Sequence, residues 1–144
     1  MRATYVHPDG NPKTCAWALF GEQPGRTEIM RGKPFIGAAG DELNNCLNDA
    51  GLNRQQGYLS NVIKDYDAPL ERYLTFNRSS APSISDDCAT YLKELEIEVR
   101  NLGESCKCII ACGNVALCAL TGRTGVTKWR GSILPCLFSE KPVI

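Results

Sequence analysis

The feature that most restricts this chain is a repeated order of short apolar runs and amphipathic segments punctuated by glycine. CAWALF (15–20) stops at Gly21, YLSNVI (58–63) leads into a polar stretch, and CKCIIACG (106–113) closes on another glycine. Each is brief and apolar nearly throughout, the pattern of a strand covered on both faces. Between them lie segments of helical period. DELNNCLNDAGL (41–52) puts Leu43, Cys46, Leu47 and Ala50 on one face, with Gly51 as the stop. Ser85-Asp86-Asp87 supplies N-capping chemistry for a second helix, striped by Cys88, Tyr91, Leu92, Leu95, Val99 and Leu102 and ended by Gly103. NVALCALTG (114–122) is a third helix, and TGVTKWRGSILPCLF (124–138) a loop followed by a fourth extended segment. The order strand, helix, strand, helix, strand, helix, strand predicts an α/β fold. The expected architecture is a three-layer α/β/α sandwich around a central, mainly parallel four-stranded sheet. The polar segment from Lys64 to Ser85 reads as a long excursion with at most one helical turn.

At 144 residues this is one domain with room for a real core. Lys plus Arg and Asp plus Glu number 16 each, so bulk charge attracts no polyanion, and a nucleic-acid partner would need a local patch or backbone dipoles. The eight cysteines, at 15, 46, 88, 106, 108, 112, 118 and 136, include no CxxC pair and sit largely in apolar runs. That usage fits small buried hydrophobes better than a tetrahedral metal site. His7, in the turn-rich HPDGNPK, is the only histidine and reads as a solvated loop residue. Neither a secretory h-region nor an apolar run of about 18 residues is present, so the expectation is an intracellular, cytoplasmic protein. KELEIEVR (93–100) reads as the solvent face of its helix.

In parallel sheets the ligand crevice lies beyond the carboxyl ends of the strands. GEQPG (21–25), NVIKD (61–65) and CGN (112–114) leave the strands there. Gly21 allows a sharp exit, and Glu22 and Gln23 project at the sheet edge, where a carboxylate orients or activates water; a solvated turn Glu is the rival reading. In KPFIGAAG (33–40), Phe35 is placed to present a ring face. Gly37 and Gly40 let backbone approach a ligand at a helix N-terminus suited to phosphate. Asn61 offers a carboxamide that pairs with an amide–imide edge. Aromatic platform, carboxamide and water-orienting carboxylate together suit a flat polar ring such as a flipped nucleobase.

GEQPGRTEIMRGKPFIGAAGDEL, YLSNVIK and CIIACGNVALCALTG, in that order, resemble the uracil-DNA glycosylase superfamily. The nearest pattern is the family-four, bacteriophage-polymerase-associated branch, with GE-x-PG, G-x-PF-[VI]-G-x-(A/S)-G, TNV-[VI]-K and a strand ending in LG. LTGRTGVTKWRGS is similar to phage polymerase-fused members. The resemblance implies hydrolysis of the N-glycosidic bond of uracil in DNA, in base excision repair. It implies catalytic positions at Glu22 and Gln23, which hold the hydrolytic water and add backbone contacts to uracil. Gly21, Phe35 and Asn61 would bind the base, Phe35 by stacking and Asn61 by accepting from N3–H and donating to O4. Gly37, Gly40, Lys64 and Arg130 are the implied phosphate or DNA contacts, although Trp129 and Arg130 equally suit a loop anchor and a solvated cation.

Two departures from the family pattern shape the expectations. Its four iron–sulfur cysteines comprise a CxxC well before GE-x-PG, one directly after NV-[VI]-K and one opening the next helix. Here only Cys88 matches, Asp65 stands after NVIK, and Cys15 lies inside the first strand, so neither a cluster nor any other metal is expected. The family's His-Pro-Ser/Ala motif also lies beyond the last residues, so the chain is expected to be truncated before it. The expected partner is uracil-containing DNA, bound by a monomer, with a fused or associated DNA polymerase as a further expectation. The competing readings are a non-catalytic or weakly active uracil-sensing domain of a phage polymerase, and a phosphate-binding domain acting on free nucleotides.

Overall fold

β1 (Trp17–Gly21) is the centre around which everything else is arranged, and all five of its residues are buried. It pairs in parallel with β2 (Gly57–Asn61) on one side and β5 (Ile109–Ala111) on the other. The structure, a computed structural model, describes residues 4–68, 74–77, 80–84 and 86–144. Beyond β5 the sheet continues with β7 (Pro142–Val143), parallel to it, and an antiparallel edge strand, β6 (Leu134–Pro135), giving the order β2-β1-β5-β7-β6.

The sheet therefore has five strands where four were expected. The segment read as one extended run turns back on itself after Pro135, and Ser139 Oγ accepts from the Lys141 amide inside that turn. The excursion after Lys64 contains a separate antiparallel ribbon, β3 (Leu74–Asn77) with β4 (Ser80–Ile84), irregular between Thr75 and Asn77. The expected helical turn is not seen among the described residues of that excursion. Among the described residues the helices are α1 (Arg26–Arg31), α2 (Ala38–Asp49), α3 (Ala89–Asn101), α4 (Asn114–Thr121) and the short α5 (Val126–Trp129). Ser85, the expected cap of α3, lies outside the described residues; a 3-10 turn over Asp86–Cys88 leads in, and Cys88 holds the N-cap position.

Strand alternation sorts the core into two layers. Ala18 and Phe20 of β1, Tyr58 of β2 and Ile109 of β5 face one way, onto Tyr91, Leu95 and Val99 of α3 and Val115, Ala119 and Leu120 of α4. Trp17, Leu19 and Leu59 face the other way, onto Leu47 and Leu43 of α2. Helices thus cover both faces, the α/β/α arrangement expected. Because β1 and β2 are in register from Trp17↔Gly57 to Gly21↔Asn61, they deliver Gly21 and Asn61 side by side at the carboxyl edge.

Candidate functional site

At that edge three of the expected base-binding residues meet. A Cβ on Gly21 would lie 2.6 Å from Phe35 Cζ and 2.7 Å from Asn61 Oδ1, so the ring and the carboxamide converge on the space glycine leaves empty. A cavity of about 60 Å³ opens there, lined by Gln23, Pro24, Glu28, Phe35, Ala39 and Asn61. The ring backs onto the apolar layer of Trp17, Leu19, Leu47 and Leu59, which restricts its tilt. Its backbone has φ +53°, a left-handed conformation that costs a non-glycine residue on the order of 1–3 kcal/mol.

The surroundings hold Phe35 in that conformation. The Arg54 guanidinium donates to the Pro34 carbonyl at 2.9 Å and to Asn44 Oδ1 at 2.9 Å. Gly40, buried in the first turn of α2, packs so tightly on the Phe35 carbonyl that a Cβ would overlap it. Glu28 of α1 ties the loop to itself: Oε1 accepts from the Gly25 amide at 3.0 Å, and Oε2 from Ile36 at 3.1 Å and Gly37 at 2.6 Å.

These contacts correct several expected roles. The N-terminus of α2, expected to receive a phosphate through Gly37 and Gly40, is taken up by the protein's own carboxylate: the Gly37 amide serves Glu28, and Gly40 serves packing. Lys64, expected to reach phosphate, is 1% exposed; its Nζ donates to the Asn61 carbonyl at 2.7 Å and pairs with Glu98 Oε1 at 2.9 Å. Gln23 lines the cavity, but its carboxamide nitrogen is turned to the carbonyls of Asp65, Tyr66 and Ala68, at 2.9, 3.0 and 3.2 Å, which makes it a clamp on the loop after β2. Glu22 is half-buried, its carbonyl accepts from the Ile63 amide, and its side chain is not among those lining the cavity. Arg130 is exposed and borders a different cavity, with Trp129 and Leu134, so it is not brought together with the others.

Two groups near the site carry no strong sequence signal. Glu28 sits three residues after Gly25, a capping-box spacing legible in sequence, yet its reach to Ile36 and Gly37 is not local. Phe35 also lines a wider groove of about 560 Å³, together with Arg31, Lys33, Arg54, Asp9 and Asp41. Arg31 and Lys33 are exposed and form a local cationic edge in a chain of zero net charge.

Comparison with known proteins decides the lineage. Residues 7–142 match the family described as the Uracil DNA glycosylase superfamily. The chain belongs to that superfamily. It is 30% identical over 144 residues to the Type-4 uracil-DNA glycosylase of Thermotoga maritima, covering 99% of this chain and 68% of that protein. It is 36% identical over 96 residues to the Type-4 uracil-DNA glycosylase of Archaeoglobus fulgidus, covering 66% of this chain and 44% of that protein. The Type-4 enzyme of Saccharolobus solfataricus is 40% identical over 65 residues, 44% of this chain and 30% of its own. The chain thus spans less than half the length of these two archaeal relatives and about two thirds of the Thermotoga one. None of the three is a bacteriophage protein, so the phage-polymerase association expected from LTGRTGVTKWRGS gains no support from them.

The residues of this superfamily member do not fit the four-thiolate iron–sulfur site that the family-four resemblance implies. All eight cysteines are described, and among the described residues no group of three or more His, Cys, Asp or Glu is placed to hold a metal ion. Cys88, the one cysteine in a matching position, is fully buried in the apolar layer beneath α3 and α4. Asp65, in the other matching position, is committed to hydrogen bonds. Oδ1 accepts from Thr4 Oγ1 at 3.1 Å and Oδ2 from the Tyr91 hydroxyl, while Gln23 grips its carbonyl. Asp65 thereby fastens the N-terminal segment, the loop after β2 and the first turn of α3 to one another.

Proposed function

We propose that this chain binds a uracil extruded from DNA and hydrolyses its N-glycosidic bond. The observation that carries the reading is the convergence of the Phe35 ring and the Asn61 carboxamide over Gly21, in the cavity at the carboxyl edge of β1 and β2. The superfamily membership supports it, as does the likeness to Type-4 uracil-DNA glycosylases. Phe35 stacks on the base. Asn61 accepts from N3–H and donates to O4; cytosine presents the opposite pattern, so a fixed carboxamide rejects it. Water attacks C1′ as the C1′–N1 bond breaks through an oxocarbenium-like state. The bonding pair leaves on uracil N1, and the water proton passes to a base, for which Glu22, directly after Gly21 though its side chain does not line the cavity, is the candidate. The products are free uracil and an abasic site. Exposed Arg31 and Lys33 give the DNA backbone a cationic edge beside the cavity.

The test is to incubate the protein with uracil-containing single-stranded and duplex DNA, then cleave abasic sites with alkali. Strand breaks at uracil are expected; intact strands despite binding would overturn the catalytic reading in favour of a uracil-sensing domain. Asn61→Ala is expected to lower excision by about 100-fold or more, because an oriented partner of the base edge is lost. Phe35→Ala should cost about 10- to 100-fold, the equivalent of one base–aromatic stack. Normal rates in both would refute the pocket.

We propose also that it works without an iron–sulfur cluster. Protein purified without oxygen should show no absorbance near the visible charge-transfer region and no bound iron. Stoichiometric iron would refute this. Asp65→Asn, which weakens the bonds from Thr4 and Tyr91, should instead lower the melting temperature by a few degrees, at about 1 kcal/mol per hydrogen bond weakened.

A further inference from the structure

Behind the cavity lies a buried polar group that base recognition does not touch. Ser60 and Asn61 end β2, Lys64 follows in the same turn, and Glu98 comes from the C-terminal part of α3. Lys64 Nζ donates to the Asn61 carbonyl at 2.7 Å and meets Glu98 Oε1 at 2.9 Å. Ser60 Oγ lies 3.2 Å from Glu98 Oε1 and 3.0 Å from Oε2, so it donates to the same carboxylate. The lysine side chain is 1% exposed and the glutamate 11%. Burying such a pair is costly, and core-sized apolar residues would serve stability as well or better. A lysine whose buried ammonium is held between a buried carboxylate and one backbone carbonyl therefore calls for a reason other than stability.

Geometry supplies that reason. The carbonyl it grips belongs to Asn61, whose side chain converges with Phe35 over Gly21. Holding that oxygen fixes the plane of the Asn61 peptide, hence the direction in which its Cα projects the carboxamide. Glu98 fixes Lys64, and through Ser60 it also fixes the residue before Asn61. On the reading that Asn61 recognises uracil, we infer that Lys64 and Glu98 are positioning residues for the base-reading carboxamide, acting from the opposite side of the strand end. Burial raises the Glu98 carboxyl above the ordinary range, partly offset by Lys64 and Ser60, consistent with a carboxylate that needs both partners.

The test compares Lys64→Met/Glu98→Gln, which removes both charges together and leaves neither unpaired, with the unmodified protein and with each in an Asn61→Ala background. The first readout needs no activity. It is the side-chain ¹H–¹⁵N pair of Asn61, assigned by its disappearance in Asn61→Ala. The double variant should shift or broaden that pair while amide signals from β5 and α4 stay in place; an unmoved pair overturns the inference. The second readout is single-turnover excision. A loss of about 10- to 100-fold is expected with Asn61 present, the scale of a small misplacement of a reacting group. Less than about threefold is expected with Asn61 already Ala, since coupled residues do not add. Equal losses in both backgrounds would mean a general structural role and overturn the inference. Should the unmodified protein cut no uracil, the functional reading fails, and the Asn61 resonance still decides the positioning role.

Discussion

Gly21→Ala is expected to lower uracil excision by about 100-fold in a protein that still folds, the price of displacing reacting groups by about 1 Å. Gly21 is the last residue of β1 and its φ lies outside the left-handed region, so alanine brings no backbone strain. What it brings is one methyl group placed 2.6 Å from Phe35 Cζ and 2.7 Å from Asn61 Oδ1, where ordinary contacts need well over 3 Å. The colliding atoms are ends of side chains and will give way. They are also the two groups proposed to grip the base, and the cavity between them holds only about 60 Å³. Overpacking of this kind costs about 1–3 kcal/mol of stability, which a domain with two buried layers tolerates. Single-turnover excision and a thermal melt on the same sample separate the effects. Normal excision in folded Gly21→Ala would show that uracil does not sit between Phe35 and Asn61.

How far the sequence reveals this site differs from residue to residue. The strands and helices that carry it are legible because β1, β2 and β5 are apolar runs and the larger helices keep a clean stripe. β6 and β7 are not, because each is two residues long and a turn hides inside one apparently extended segment. The ribbon of β3 and β4 is polar enough to pass for loop. Gly21, Phe35 and Asn61 can be singled out because each residue type suits one task at a strand end. Lys64 shows the limit of such reasoning: a lysine beside a proposed DNA site suggests a phosphate contact, and only its burial against Glu98 of α3 and the Asn61 carbonyl reveals an interior ammonium. Its partner was hidden too. KELEIEVR reads as a solvent face, yet Glu98 lies three residues after Leu95 and turns inward, while Ile97 is 61% exposed. Charge type alone cannot show this, since the inward glutamate is explained by a lysine on another element.

Glu28 is the residue whose loss should most disturb the loop over residues 25–37. In Glu28→Ala the amides of Gly25, Ile36 and Gly37 lose their carboxylate together. Hydrogen bonds to a charged group contribute about 1.5–3 kcal/mol each, but these three amides are only half-buried, so water replaces part of the loss. A net cost of about 2–3 kcal/mol is expected, lowering the melting temperature by about 6–9 °C in a domain of this size. Excision should fall by about tenfold as well, because Phe35, at φ +53°, has Ile36 as its neighbour and is released from one of its restraints. The variant makes a further, opposite prediction. With Glu28 gone, the N-terminus of α2 presents unpaired amides and its positive dipole end to solvent, which is the anion site that glycine-rich KPFIGAAG suggests. Inorganic phosphate at millimolar concentration should therefore raise the melting temperature of Glu28→Ala by a few degrees more than that of the unmodified protein, where the carboxylate already fills the site. Equal phosphate effects on both proteins, together with an unchanged melting temperature, would mean that these amides do not depend on Glu28 and that the loop is held by other contacts.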